Sequence, residues 1–271
     1  MTTSCDPSLA ATWESVRAAN RAALIGYLTA GFPDRVQSAE VIDAAAGAGV
    51  DVLELGIPFS DPLADGPIIQ RASHKALEGG MSVAGALGLL REVRPRVPVV
   101  LFSYLNPILS FGPERFLREA RAAGAVGVLV VDLPTGSDAA LERTLAGGGL
   151  DLIRLVAPTT GPERLERALT AASGFVYLVS RLGVTGAREH LADDLAASIR
   201  RVRRATELPI AVGFGISTPE QAAAVARLAD GVVVGSAVMR ALDVDGVTGA
   251  VTALDSFRRA MFRADHPASG Q

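Results

Sequence analysis

The sequence predicts an α/β protein built as a TIM (β/α)8 barrel with one extra helix in front of it, and three observations carry that prediction. Short apolar runs alternate with helical stretches eight times over. The runs end at glycine, proline or a polar residue, as strands do where they hand over to loops. A length of 271 residues, with 49% hydrophobic and 20% charged side chains, is the size and composition of one such barrel. Eight β-α units in this length favour a closed barrel over an open parallel sheet, which more usually has fewer strands. Residues 1–271 are expected to form a single domain, with 1–8 and 264–271 as flexible tails.

In chain order, residues 9–20 read as the extra helix and carry the only tryptophan, Trp13. The apolar run 22–28 is the first strand, broken at 29–34, and the Ala-rich stretch 38–47 is a helix feeding a second strand at 51–55. Helices follow at 68–77 and 81–94. The third strand, 98–104, is stopped by Asn106-Pro107 ahead of a helix at 114–123. Further strands are expected at 126–131, 151–156, 175–179, 209–212 and 232–234, with helices near 138–147, 162–172, 192–205 and 218–227 between them. In this architecture the reacting groups sit at the C-terminal ends of the strands, and here those ends carry Thr29, Glu54, Tyr104, Asp132, Ser180, Phe214 and Ser236.

A formal charge of -3 with no basic block argues against nucleic acid and membrane surfaces as partners. The single cysteine, Cys5, excludes an internal disulfide framework and a cysteine-based metal site. There is neither a signal-peptide core nor an apolar run near the ~20 residues of a membrane span, so a cytoplasmic protein is expected.

The stretch 51–71, DVLELGIPFSDPLADGPIIQR, holds two carboxylates that matter. Alternation in a buried strand puts Val52 and Glu54 on one face and Leu53 and Leu55 on the other, so Glu54 is a buried acid. Such a group finds a cation, raises its pKa, or serves chemistry. A structural salt bridge and a catalytic role are both open at this point. Arg154, inside the apolar run 152–156, either reaches out through the helix layer or turns in to pair with an acid such as Glu54. Asp65 lies on the loop after the second strand, where Asp-Gly is also ordinary turn chemistry.

Gly213-Phe214-Gly215 and Gly235-Ser236 end the late strands ahead of helices, where backbone amides and a helix N-terminus suit an anion, the usual barrel phosphate site. Residues 180–188, Ser-Arg-Leu-Gly-Val-Thr-Gly-Ala-Arg, have the composition of a lid over the barrel mouth, with two glycines as hinges.

With those residues in view, the sequence closely resembles the tryptophan synthase alpha subunits over roughly residues 22–262. The carrying segments are Leu-Glu-Leu-Gly-Ile-Pro-Phe-Ser-Asp-Pro-Leu-Ala-Asp-Gly-Pro at 53–67, the segment 104–107, Ser-Arg-Leu-Gly-Val-Thr-Gly at 180–186 and Gly-Phe-Gly-Ile-Ser at 213–217. The resemblance implies cleavage of indole-3-glycerol phosphate to indole and glyceraldehyde 3-phosphate within tryptophan biosynthesis. By it, Glu54 is the catalytic acid/base and Asp65 the acid that holds the indole nitrogen. Tyr177 matches an active-site tyrosine, and Thr185, Gly186, Phe214, Gly215, Gly235 and Ser236 match substrate and phosphate positions. Arg181 and Gly183 belong with Thr185 to the lid. Pro58, Asp61, Asn106, Pro107 and Asp132 match the face toward a beta subunit, in an alpha2beta2 complex. The resemblance implies no metal and no cofactor in this chain, and pyridoxal phosphate in the beta subunit.

The sequence departs from the family pattern at Phe32, where many members have Asp, at Thr135-Gly136-Ser137-Asp138 and at Leu182. Two other readings stay open: a stand-alone lyase that releases free indole, and a phosphate-binding barrel whose main role is to activate a partner.

Overall fold

The computed structural model describes residues 7–133, 135–136, 138–180 and 188–263, with backbone alone for 188–193 and 263. Eight parallel strands close into a barrel in sequence order: β1 (Ala23–Thr29), β2 (Val52–Gly56), β3 (Val99–Ser103), β4 (Ala125–Val130), β5 (Asp151–Val156), β6 (Val176–Val179), β7 (Ile210–Gly213) and β8 (Gly231–Val234). Closure is made by β1, which pairs with β2 on one side and β8 on the other. The helices are α1 (Leu9–Ala18), α2 (Arg35–Gly47), α3 (Pro67–Glu78), α4 (Val83–Val93), α5 (Leu105–Phe111), α6 (Pro113–Ala122), α7 (Ala139–Gly147), α8 (Pro162–Thr170), α9 (Arg188–Arg203), α10 (Pro219–Ala226) and α11 (Ser236–Arg263). The strands expected from sequence are all present, with ends moved by a residue or so.

The third strand ends at Ser103, ahead of Asn106-Pro107 as expected, but a helix that the sequence reading did not include follows at once: both residues lie inside α5. Proline is tolerated in a first helical turn, because its missing N–H has no carbonyl to meet there. Pro162 and Pro219 open α8 and α10 by the same logic. Ser8 caps α1 by accepting from Ala11 N at 3.2 Å. Residues 1–6 and 264–271 lie outside the described residues.

Register assigns the faces. Tyr27 pairs with Glu54, Glu54 with Val100 and Val100 with Gly127, while Leu155 pairs with Tyr177 and Tyr177 with Ala211. Paired residues in a parallel sheet share a face. The interior therefore holds Tyr27 and Glu54 with Phe102, whose ring meets Tyr27 edge-on at 5.2 Å. At the N-terminal end, Trp13 of α1 packs edge-on to Phe175 at 5.6 Å and lies against Gly231. The extra helix thus plugs the end of the barrel opposite the site.

Arg154 stands one residue out of phase with Leu155 and points outward. It is 4% exposed, and its Nη2 donates to Thr135 Oγ1 at 2.6 Å, so it ties β5 to the loop after β4. Burial lowers its pKa, against the pull of Glu142. Of the two alternatives for Arg154, the outward one is realised, and Glu54 does not receive this cation.

Candidate active site

Glu54 is 1% exposed in the middle of β2, and its Oε1 has no hydrogen-bond partner among the described residues. None of the ion pairs among the described residues includes it. Burial alone pushes its carboxyl from 4.5 up to about 8. At neutral pH this group is a carboxylic acid holding a transferable proton, and the structural salt bridge left open by the sequence is not formed with any described residue.

Asp65 is 8% exposed in the loop between β2 and α3. Turn chemistry does not use its carboxylate: α3 is capped at Gly66 without a side-chain bond, and the turn is closed by backbone, Asp65 N to Pro62 O at 3.0 Å. The carboxylate instead accepts from Tyr104 Oη at 3.1 Å. That hydroxyl also accepts from Ala64 N at 3.0 Å, and the Tyr104 ring leans on Phe59 at 5.2 Å between centroids. Burial raises the Asp65 pKa from 3.8 to about 6, and the Tyr104 hydroxyl opposes the rise. The two acids therefore differ in charge at pH 7, one protonated and one mostly ionised, which is the separation that acid/base chemistry uses.

The chain has three tyrosines, Tyr27, Tyr104 and Tyr177, and all three surround these acids. Tyr27 and Tyr177 lie inside the barrel, each with its hydroxyl over a strand-end glycine, Gly56 and Gly213. A Cβ at either glycine would overlap the hydroxyl, so glycine there makes room for a tyrosine to lie across the wall. Both phenols are raised above the ordinary tyrosine range, chiefly by burial and further by Glu54 and Asp65. Tyr27 was missing from the sequence-based set, having been read as one residue of an apolar strand. Its register pairing with Glu54 is the signal that finds it.

At the late strands, Phe214 and Gly215 both have positive φ, 67° and 86°, and turn the chain out of β7. Ser180 Oγ donates to Phe214 O at 2.5 Å, and the Phe214 ring meets Tyr177 at 5.8 Å. The expectation that both glycine turns run straight into helices holds for β8 alone. After Gly235, α11 starts at once, and its first helical bond is Met239 N to Gly235 O at 2.9 Å. The amides of Ser236, Ala237 and Val238 are those that a helix leaves for an anion. In contrast, α10 begins six residues after Gly213, at Pro219, and its N-terminus is occupied by a capping box of Thr218 and Gln221.

The expected lid residues Arg181, Gly183, Thr185 and Gly186, with Leu182, lie outside the described residues. On the rim, Asp61, Asn106 and Asp132 are exposed and Pro107 half-buried. Pro58 is buried within the chain, and Leu63, 89% exposed, is the apolar residue that the same loop presents. The Phe32 departure is 1% exposed beneath Lys75, so it alters the interior and not the rim. Among the described residues no group of three His, Cys, Asp or Glu lies together as a metal-ligand set, and no helix is long and apolar enough to cross a membrane.

A family model described as "Tryptophan synthase alpha chain" matches residues 13–264. The tryptophan synthase alpha chain of Acidiphilium cryptum (strain JF-5) is 52% identical over 245 residues, 88% of this chain and 89% of that one. The alpha chain of Desulfatibacillum aliphaticivorans is 50% identical over 234 residues, 86% of this chain and 88% of that one. Among solved structures, Mycobacterium tuberculosis tryptophan synthase superposes with a TM-score of 0.86 at 38% identity, over 94% of this chain and 98% of that one.

Proposed function

The chain belongs to the tryptophan synthase alpha chain family, and from that premise we propose that it is the carbon-carbon lyase that splits indole-3-glycerol phosphate into indole and glyceraldehyde 3-phosphate in tryptophan biosynthesis. The observation that carries the reading is Glu54, a buried acid that is unpaired among the described residues and still protonated at neutral pH, beside Asp65, which is mostly ionised.

Glu54 donates its proton to indole C3, which makes the ring an indolenine cation with its charge at N1–H. Asp65 faces that N–H as a carboxylate and stabilises the cation. The substrate hydroxyl on the adjoining carbon then gives its proton to the Glu54 carboxylate. The C–C electron pair returns to the ring, neutralising N1, and the hydroxyl carbon becomes the aldehyde. Tyr177 lies over Gly213 along the substrate, and the phosphate sits at the α11 N-terminus against Gly215, Gly235 and Ser236. By the family resemblance, Thr185 and Gly186 are assigned to substrate binding and Arg181 and Gly183 to a lid.

No cofactor is assigned to this chain. The partner is a beta subunit that carries pyridoxal phosphate and consumes the indole in an alpha2beta2 complex. That subunit seats on the rim formed by Asp61, Asn106, Pro107 and Asp132, and Leu63 adds an apolar contact. The whole of 1–271 works as one domain in the cytoplasm. Assaying indole release with and without a cognate beta subunit tests the reading. Loss of all indole formation in both conditions would refute it, and full turnover without a partner would favour the stand-alone lyase.

A further inference from the structure

The N-terminus of α5 is capped from a distance. Its N-cap residue, Tyr104, makes no side-chain cap bond, because its side chain leaves toward the loop after β2. The first amide of the helix, Leu105 N, donates instead to Asp132 Oδ1 at 2.6 Å, a carboxylate on the loop after β4. A second bond, Val131 N to Ser103 O at 2.9 Å, holds the same two chain segments together one step earlier. The backbone of Tyr104 is thereby fixed from both sides.

From that fixed point the Tyr104 ring crosses to the neighbouring loop, where its hydroxyl accepts from Ala64 N and donates to Asp65 Oδ2 at 3.1 Å. The Asp65 backbone is anchored separately, by Pro62 O and by Gln70 Nε2 donating to Asp65 O at 2.9 Å. Among the described residues, Tyr104 is thus the side chain that holds the carboxylate. We infer that Asp132 is a positioning residue for Asp65, acting through the Leu105 amide and the Tyr104 hydroxyl. The inference rests on the reading of Asp65 as the acid facing the indolenine cation. It adds a route for regulation, because Asp132 and Asn106 are exposed on the rim and two hydrogen bonds separate that surface from Asp65.

Among the described residues, the titratable groups that face Asp65 are Tyr104 from the α5 cap, Tyr27 from β1 and Tyr177 from β6. Of these, Tyr104 donates to the carboxylate and favours its charged form against burial. Loosening Tyr104 therefore moves the acid limb of the kcat profile to higher pH.

The test is steady-state indole release, with pH profiles, for Asp132→Ala, Asp132→Asn, Tyr104→Phe and the Asp132→Ala/Tyr104→Phe double variant. Asp132→Ala is expected to lower kcat about 10- to 100-fold, the scale of a small misplacement, with KM little changed and the acid limb raised. Asp132→Asn keeps an acceptor for Leu105 N and restores most of the rate. The double variant is no slower than Tyr104→Phe, because both changes act through one hydroxyl. Leu105→Pro provides an independent route should Asp132→Ala fold poorly: it removes the N–H at a position where proline is tolerated, and reproduces the Asp132→Ala profile. Additive losses, an unmoved acid limb, or Asn as damaging as Ala would overturn the inference. An unaffected Asp65→Asn variant would take down the underlying reading instead, whereas a crippled Asp65→Asn beside an unaffected Asp132→Ala takes down the positioning role alone.

Discussion

Glu54→Gln separates catalysis from stability, because the two respond in opposite directions. The amide has nearly the volume of the acid but no proton to give, so indole formation should fall by at least the ~100- to 10,000-fold that a positioned acid/base contributes. Stability should rise. In the folded protein the Glu54 carboxyl is held at about 8, against 4.5 in an unfolded chain. Folding therefore binds a proton: the stability tied to this group is complete below pH 4.5 and is lost progressively as pH climbs to about 8. At about 1.4 kcal/mol per pH unit, the loss at pH 7 is on the order of 3 kcal/mol, and above pH 8 it levels off on the order of 5 kcal/mol. The glutamine variant has no such proton to bind. Urea denaturation of both proteins from pH 4.5 to 9 should give curves that start together and separate steadily, with the variant the more stable at high pH. Parallel curves would mean that Glu54 is charged and paired in solution, and the reasoning from its isolation would fail. Near-wild-type turnover in the variant would remove it from the mechanism.

The remaining predictions concern the other parts of the site. Asp65→Asn should cut indole release at least about 100-fold, since it loses the charge opposite the indolenine cation, and kcat should be checked against intact phosphate binding. With Asp65 near 6 and Glu54 near 8, wild-type kcat/KM should be bell-shaped, falling below about pH 6 as Asp65 protonates and above about pH 8 as Glu54 ionises. A flat profile across that range would contradict the division of roles. Ser236→Asp should keep α11 folded, because an acid suits a helix N-terminus, yet raise KM about tenfold or more by repelling the substrate phosphate. Unchanged KM would move the phosphate elsewhere. Leu63→Arg, at an 89% exposed position, should leave the basal rate intact and weaken the complex with a cognate beta subunit by sedimentation.

The fold was legible because each strand carries its own signal: an apolar run bounded by turn residues needs no distant information. The omission of α5 was local too. Pro107 reads as the stop of a strand, and whether proline also sits in the first turn of a new helix depends on its place in that turn, which the residue alone does not reveal.

The site was legible in part, for a different reason. Alternation says that Val52 and Glu54 share a face, but not whether Arg154 shares it with them. That depends on register passed from strand to strand around the barrel, and one residue of slip would bring Arg154 inside. Its outward position is what leaves Glu54 unpaired among the described residues, so the character of the acid is decided by the closure of the sheet. Asp65 shows the same dependence. Its Asp-Gly setting reads as a turn, and only the approach of Tyr104, 39 positions away in sequence, makes its carboxylate part of a site. Asp132 to Leu105 and Tyr104 to Asp65 are both bonds between successive loops at one end of the barrel, formed because adjacent parallel strands deliver their C-termini to the same rim. Residue identity at strand ends thus names the candidates, and barrel closure determines which of them are charged, which are paired, and which surface residues they answer to.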